Sequence, residues 1–597
     1  MALPRPEYPR PQFVRRDWLC LNGEWQFEMD PGDSGLERGL LDRDLSGRIL
    51  VPFCPEAPLS GVGCTDFMNA VWYRRRVAVP KAWAGRRVLL HFQAADYDAT
   101  VWANGRQVGR HRGGFTPFTC DLSAAAAPGE DVTIVLRARD DMREPKPGGK
   151  QSRAFANAGC LYTRTTGIWQ TVWLEPVPET HLLRPRIWPD VAGGRLRLAV
   201  PIRGPRRGLR VRATASDERG LVAAAEGAAD ADLVPRLDLD IPDARRRLWS
   251  PADPHLYGLD LELADAAGRT VDRAAGYAGL RGITIDGRAV LLNGRPVFQR
   301  LVLDQGYYPD GTMTAPSDEA LKKDIELSMA AGFNGARLHQ KVFEERSLYH
   351  ADRLGYLVWG EFGDWGWRPD EPPLRAALHQ PAAAILAQWL EVLERDVSHP
   401  AVIGWCPLNE RAELLSDRIA VLDDLERGLV LATRGMDPTR PVLDASGWAH
   451  RVPEADVFDC HDYDQDPAAV RARHAAAAEG RPFVNERGGR AMSVPYGGQP
   501  VFVSEFGGAW WGPGAPEGGA SWGYGTRPRT VEEFYQRFEG LTAALLQNPA
   551  LFGYCYTQLT DVYQEQNGIY RFDRTGKFDL ARLRAAQQRP AAIEARP

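Results

Sequence analysis

Apolar and polar residues alternate in short runs over the first 180 positions, the two-residue period of strands buried on one face. VWYRRRVAV (71–79), RRVLLHF (86–92), ATVWANG (99–105) and DVTIVLRA (131–138) are each set off by Gly, Pro or Asp nearby. Asn104-Gly105 is a two-residue hairpin signal. Many short strands between turn signals predict a β-sandwich over 1–180. RLRLAVPI, LRVRATAS and YGLDLELAD carry the pattern through 181–275, a length that predicts a second, Ig-like sandwich serving as a connector.

The period changes at 276, where strand-like runs begin to alternate with helical stretches. AVLLNGRPVFQRLVL precedes SDEALKKDIELSMAAG (317–332), with Ser317 as N-cap and Glu319 in the first turn. FNGARLH, EERSLYHADRLG, YLVWGEF, AVIGWCPLNE, PVLDAS, DVFDCHDY, QPVFVSEFGG and FGYCYTQLTD follow. This alternation predicts a (β/α)8 TIM barrel over 276–597.

Composition narrows the function. The chain has 597 residues, 44% hydrophobic and 25% charged, with a net charge of −5. Nothing in it resembles a basic nucleic-acid footprint, so no nucleic-acid partner is expected. The eight Cys lack a C-x-x-C pair or zinc spacing and are expected to be reduced. No run of 18 apolar residues is present, so no membrane span is expected. MALPRPEYPRPQFVRRDW has no apolar signal core, and a cytoplasmic location is the simplest expectation.

A barrel places its chemistry at the C-terminal ends of its strands. The polar residues there are Asp304, Arg337, His339, Glu361, Asp364, Asn409, Glu410, His461, Asp462, Tyr463, Glu505, Gln558 and Asp561. The set is rich in carboxylates, as glycoside hydrolysis requires: one carboxylic acid protonates the leaving oxygen, and a second carboxylate attacks the anomeric carbon or activates water. Glu410 and Glu505 each follow an apolar run directly, where a carboxylate is costly unless paired or functional. Each also admits a bland reading as a barrel-rim ion pair.

The chain resembles glycoside hydrolase family 2, the family of β-galactosidases, β-glucuronidases and β-mannosidases. LNGEWQF (21–27), WYRRRV (72–77), ATVWANGRQVGRHRGGFTPF (99–118) and TTGIWQTVWLE (165–175) resemble its sugar-binding jelly roll. LLNGRPVFQR (291–300), NGARLH, GYLVWGEF, SHPAVIGWCPLNE and VFVSEFGG resemble its barrel motifs. The resemblance implies a retaining glycosidase with Glu410 as acid/base and Glu505 as nucleophile. It implies that Asn409 binds the sugar 2-hydroxyl, and it moves His339 and His461 toward the site. Glu410 is then expected to have a raised pKa and Glu505 to be ionised, held by Arg337. Tyr463 is expected to stack or to donate near the nucleophile. Trp365 and Trp367 after the third barrel strand, and Trp510 and Trp511 after Glu505, are candidates for a stacking wall. Asp304, Asp364 and Asp561 are candidates for gripping sugar hydroxyls, and Gln558 for substrate binding.

The sugar is less legible. β-Glucuronidases of the family carry an Asn-x-Lys pair whose Lys binds the substrate carboxylate, and in EQNGIY (565–570) Asn567 stands where that Lys would be. The expectation is therefore a neutral terminal sugar, a β-D-galactoside first, with α-L-arabinopyranoside or an arabino- or galactofuranoside as alternatives. LDQGYYPDG (303–311) lacks the His- and Glu-rich segment of the metal-dependent β-galactosidases, so no metal or other cofactor is expected. Exo action and a homo-oligomer are further implications of the resemblance. A carbohydrate-binding pseudoenzyme is the competing class, and the intact Glu410/Glu505 pair argues against it.

Overall fold

The computed structural model describes residues 3–367, 381–512 and 521–595. Two sheets form the first sandwich. One orders Leu19–Cys20, Val172–Val177, Arg87–Phe92 and Phe118–Asp121. The other orders Gly47–Val51, Gly23–Met29, Ala70–Ala78, Asp131–Arg139, Asp98–Ala103 and Arg106–Arg112. Their facing apolar residues, among them Trp25, Tyr73, Leu90, Phe92 and Leu136, make one core. The Asn104-Gly105 turn joins the last two strands, with φ of 48° and 77° as a primed turn needs.

The second sandwich packs a three-stranded sheet, Arg186–Asp190, Arg195–Ala199 and Arg236–Asp240, on a four-stranded one. The latter orders Gly220–Ala228, Arg210–Asp217, Tyr257–Ala264 and Thr270–Ala278, so its last strand straddles the expected boundary at 275/276.

Among the described residues, seven parallel strands build the barrel: β1 (Gln299–Asp304), β2 (Gly335–Leu338), β3 (Leu357–Glu361), β4 (Val402–Cys406), β5 (Phe458–Asp462), β6 (Val501–Phe506) and β7 (Leu551–Tyr556). They lie in the order β4-β3-β2-β1-β7-β6-β5. Residues 441–448 fill the place between β4 and β5, bridged to β4 at Trp405↔Val442. β6 and β7 are buried along their whole length, the continuous apolar run of a parallel strand covered on both faces. Helices α1 (Asp318–Ala330), α2 (Glu345–Leu354), α3 (Pro381–Asp396), α4 (Val421–Met436), α5 (Pro467–His474), α6 (Val531–Leu546) and α7 (Leu580–Gln587) form the outer layer. The Ser317 side chain caps α1 by accepting from the Ala320 amide at 3.2 Å. No helix among the described residues is long and apolar enough to cross a membrane.

Candidate active site

Glu505 stands near the end of β6, and the β5–β6 ladder sets His461 opposite it. After β4 the chain enters the short extended segment Asn409–Arg411, which pairs with Ser446–Trp448. Glu410 and Trp448 both take left-handed backbone, with φ of 49° and 58°. That geometry costs a non-glycine residue about 1 kcal/mol or more and persists where surrounding structure enforces it, commonly at functional sites.

One oxygen from each of Glu410 and Glu505 and a ring nitrogen of His461 all lie within 4.8 Å of one another. His461 Nδ1 is 2.8 Å from Glu410 Oε1 and 3.3 Å from Glu505 Oε2. Its Nε2 meets the Ser446 hydroxyl at 3.1 Å, which in turn donates to Asp459. The Trp448 indole N–H donates to Glu410 Oε1 at 2.9 Å. The Glu410 side chain is 23% exposed and that of Glu505 4%, so Glu410 faces the opening and Glu505 the floor.

Arg337 is fully buried and shared. It donates to Glu361 Oε2 at 2.7 Å, to Asn409 Oδ1 at 3.1 Å, and through Nη2 to Glu505. The Tyr463 hydroxyl donates to the other oxygen of Glu505 and sits 3.0 Å from Thr557 Oγ1. Because Arg337 takes the amide oxygen of Asn409, its Nδ2 is left without a partner among the described residues and is available to a ligand.

The electrostatics depart from the sequence expectation. Burial would raise the Glu410 carboxyl, but the hydrogen bond and charge of His461, the Trp448 N–H and Lys150 together take it down to about 2. Burial would likewise lower His461, but Glu505 and Glu410 raise it above its ordinary 6.5. The expected raised pKa of Glu410 is therefore not found in the free site, because the imidazole between the carboxylates holds the proton. Burial raises Glu361 to about 7 despite Arg337. His339, with Nδ1 2.9 Å from Glu361 Oε1, is pushed well below 6.5 by burial, Lys150 and Arg337.

Three expected sugar ligands are placed elsewhere. Asp304 accepts from the Gly306 amide at 2.9 Å and lines a separate cavity with Tyr308 and Asp324. Asp561 accepts from the Gly568 amide and from Lys577, at 2.9 and 2.7 Å, and opens on a separate surface hollow with Trp511 and Arg571. Asp364 accepts from Gln340 and the Asn409 amide at 2.5 and 3.0 Å and pairs with Arg411 at 2.8 Å, bracing the loop that presents Glu410. In each case backbone amides or basic side chains claim the carboxylate. Trp367 is buried under Arg411 rather than lining a wall, and Trp511 packs on the barrel core. Trp510 has the Arg527 guanidinium over its ring. Trp365 donates to the Asn409 carbonyl at 3.1 Å, and Gln558 Nε2 donates to Asn567 at 2.8 Å while its Oε1 is unpartnered among the described residues.

The sequence reading missed Trp448, Tyr162, Lys150, Tyr524 and Glu565. Tyr524 stacks on Tyr463, and the Tyr162 hydroxyl donates to Glu565. Lys150 lies against the rings of Tyr162 and Trp365 at 5.8 and 5.6 Å and feels the charges of Glu565, Glu505 and Glu410. Tyr162 and Lys150 come from the first sandwich, so no periodicity within the barrel points to them. The contact set Glu410–Trp448 depends on the paired segments at 409–411 and 446–448, which strand patterns do not reveal.

The family model for the sugar-binding domain of family 2 glycosyl hydrolases matches residues 59–143, and a second family 2 model matches 180–281. A β-glucuronidase of Paenibacillus borealis is 27% identical over 465 residues, covering 72% of this chain and 73% of that protein. The β-glucuronidase of Sus scrofa is 26% identical over 488 residues, covering 74% and 71%. Among solved structures, a β-glucuronidase from Ruminococcus gnavus in complex with D-glucuronic acid superposes with a TM-score of 0.78 at 19% identity, over 98% of this chain and 100% of that one. A Lactobacillus rhamnosus β-glucuronidase gives 0.79 at 20% identity, over 98% and 99%. These relatives point to β-glucuronidases rather than to the expected galactosidase, and they lend the arabinosidase alternatives no support.

Proposed function

The chain belongs to glycoside hydrolase family 2, and from that premise we propose that it is a retaining exo-glycosidase, with Glu410 as acid/base and Glu505 as nucleophile. The observation that carries this reading is the approach of the two carboxylates to within 4.8 Å at their nearest oxygens. Retaining enzymes hold their carboxyl groups about 5–5.5 Å apart, and inverting ones about 6.5–9.5 Å, to admit a water between carboxylate and sugar.

In the first step Glu505 attacks the anomeric carbon while the glycosidic C–O bond breaks and Glu410 protonates the leaving oxygen. That proton is already in the site: it moves from His461 Nδ1 to Glu410 Oε1 across 2.8 Å. In the second step Glu410 takes a proton from water, the water oxygen bonds to the anomeric carbon, and the ester to Glu505 breaks. Arg337 and Tyr463 stabilise the Glu505 carboxylate as it leaves. Exo action is the mode the family resemblance implies, and contacts between the barrel loops and the first sandwich are compatible with it. The Trp522 indole and the Gln564 amide both donate to the Gly159 carbonyl at 2.7 Å, tying barrel loops to the first sandwich.

For the sugar, the local charge favours a neutral ring. Asn567 is buried between Gln558 and Glu565, so the position expected to carry a cationic clamp is an amide beside a carboxylate. A β-D-glucuronide is the second reading, favoured by the relatives' β-glucuronidase names. A panel of p-nitrophenyl glycosides, with Glu505→Ala in parallel, tests both. Turnover of a neutral glycoside that vanishes in the variant supports the first reading. Preferred turnover of the β-glucuronide supports the second, and no turnover of any member overturns the enzyme assignment.

A further inference from the structure

Lys150 is 5% exposed, yet its ammonium forms no ion pair or hydrogen bond with any described residue. Its three N–H donors are therefore available to a ligand, in a place where buried donors are normally hydrogen-bonded. The chain fixes this side chain with some care. Lys146 and Gly148 donate their amides to the carbonyls of Gly366 and Trp365, at 3.3 and 2.7 Å, and Gly149 donates to Gly363 at 3.0 Å. A strip of the first sandwich is thus laced to the loop after β3. Gly149 has φ of 66°, and a Cβ there would stand 2.1 Å from the Gln340 carbonyl oxygen, so the approach requires glycine.

Tyr162, whose ring lies 5.8 Å from the Lys150 ammonium, donates its hydroxyl to Glu565, which is 1% exposed and also accepts from Asn567 Nδ2. Of the carboxylates acting on Lys150, Glu565 acts most strongly, followed by Glu505 and Glu410. The two groups attract one another without meeting. A group that fits between an ammonium and a carboxylate must accept from the first and donate to the second, and a sugar hydroxyl does both. A carboxylate ligand would meet Lys150 favourably but would face Glu565 at the same time.

We propose that Lys150 and Glu565, from two different domains, form the specificity-determining station for hydroxyl groups of the terminal sugar. This deepens the glycosidase reading and rests on it. Lys150 supplies donors to hydroxyl oxygens, and Glu565 accepts their protons. The station selects neutral sugars by polarity, and the first sandwich is part of the substrate site rather than a passive appendage.

The test measures kcat/KM and thermal midpoint for Lys150→Met and Glu565→Gln on the glycoside that the wild type turns over fastest and Glu505→Ala does not. Losing a hydrogen bond to a charged group costs about 1.5–3 kcal/mol, so Lys150→Met should lower kcat/KM about 10- to 100-fold. Glu565→Gln should lower it about 10-fold or more by the same principle. Because Lys150 makes no hydrogen bond or ion pair with a described residue, the thermal midpoint of Lys150→Met should change little, whereas a structural role would lower it together with activity. Activity of Lys150→Met within about threefold of wild type overturns the inference while leaving the glycosidase reading intact. Preference of the wild type for β-glucuronide, increased by Glu565→Gln and lost in Lys150→Met, also overturns it by making Lys150 a carboxylate clamp. Absence of any turnover removes the glycosidase reading and this inference together.

Discussion

Replacing His461 with asparagine removes the ring that stands between Glu410 and Glu505 while keeping a group able to hydrogen-bond Glu410. In the wild type the three groups share one proton. Glu410 is depressed to about 2 and His461 is raised above 6.5, so in the resting site the proton sits on the imidazole and Glu410 is a carboxylate. Catalysis needs a protonated Glu410, which has the same proton count with the proton moved 2.8 Å. The alkaline limb of kcat/KM therefore reports loss of the shared proton, at a pH above the ordinary histidine value. Asparagine cannot hold that proton, and Glu410 must then bind it as a carboxyl, helped by burial and the nearby Glu505 charge. The ordinary histidine and glutamate values differ by about 2 pH units, so the limb should move toward acid by up to about that amount.

Stability should follow the same linkage. The raised histidine contributes stability that is complete below 6.5 and lost as pH rises through its folded value. The depressed Glu410 contributes stability that is complete above 4.5 and lost as pH falls toward about 2. The stability advantage of the wild type over His461→Asn should accordingly be largest between 4.5 and 6.5. Initial rates on an alkyl or unactivated phenyl glycoside, whose departure requires the proton of Glu410, measured from pH 4 to 9 with thermal melts at each pH, provide both readings. An alkaline limb that stays where it was in the variant would refute the shared-proton argument.

Arg337→Met leaves Glu361 and Glu505 without their buried cation and should cost about 3–5 kcal/mol by denaturant unfolding near pH 8. The cost should shrink at pH 5, because Glu361, already raised to about 7, escapes by protonation. Tyr463→Phe removes the hydroxyl that donates to Glu505 and should lower kcat/KM about 10-fold with little change in thermal midpoint. Gly149→Ala forces a Cβ against the Gln340 carbonyl and should lower both stability, by about 1–3 kcal/mol, and activity, since it displaces the strip that carries Lys150. A fall in only one of the two would contradict that coupling.

Glu410 and Glu505 are legible in the sequence because each directly follows an apolar run, where a carboxylate without a role is expensive. The barrel follows from its alternation, and Arg337 from its place near the end of a short strand. Strand-end position could not say which way a side chain turns. Asp304, Asp364 and Asp561 sit at the expected level but are claimed by nearby amides and cations, which only the folded loops reveal. Trp448 and Lys150 reach the site from a paired loop and from another domain, so their signal lies in three dimensions. The raised pKa expected for Glu410 followed from its acid role, and the imidazole hydrogen-bonded to it, which only the fold brings there, lowers it instead. The galactoside expectation leaned on Asn567, and the relatives carry a different activity in their names.

The assignment of roles is tested most directly by the anomeric configuration of the glycosyl azide that forms when azide is supplied to Glu410→Ala and to Glu505→Ala with an activated aryl glycoside. With Glu410 as acid/base, the Glu410→Ala variant still forms the glycosyl-enzyme, and azide enters from the face the leaving group vacated. The product then retains the substrate configuration. With Glu505 as nucleophile, its loss lets azide enter from the opposite face, and the product is inverted. Nuclear magnetic resonance of the two products should show retained and inverted azides respectively. The same configuration from both variants, or the reverse assignment, would contradict the account.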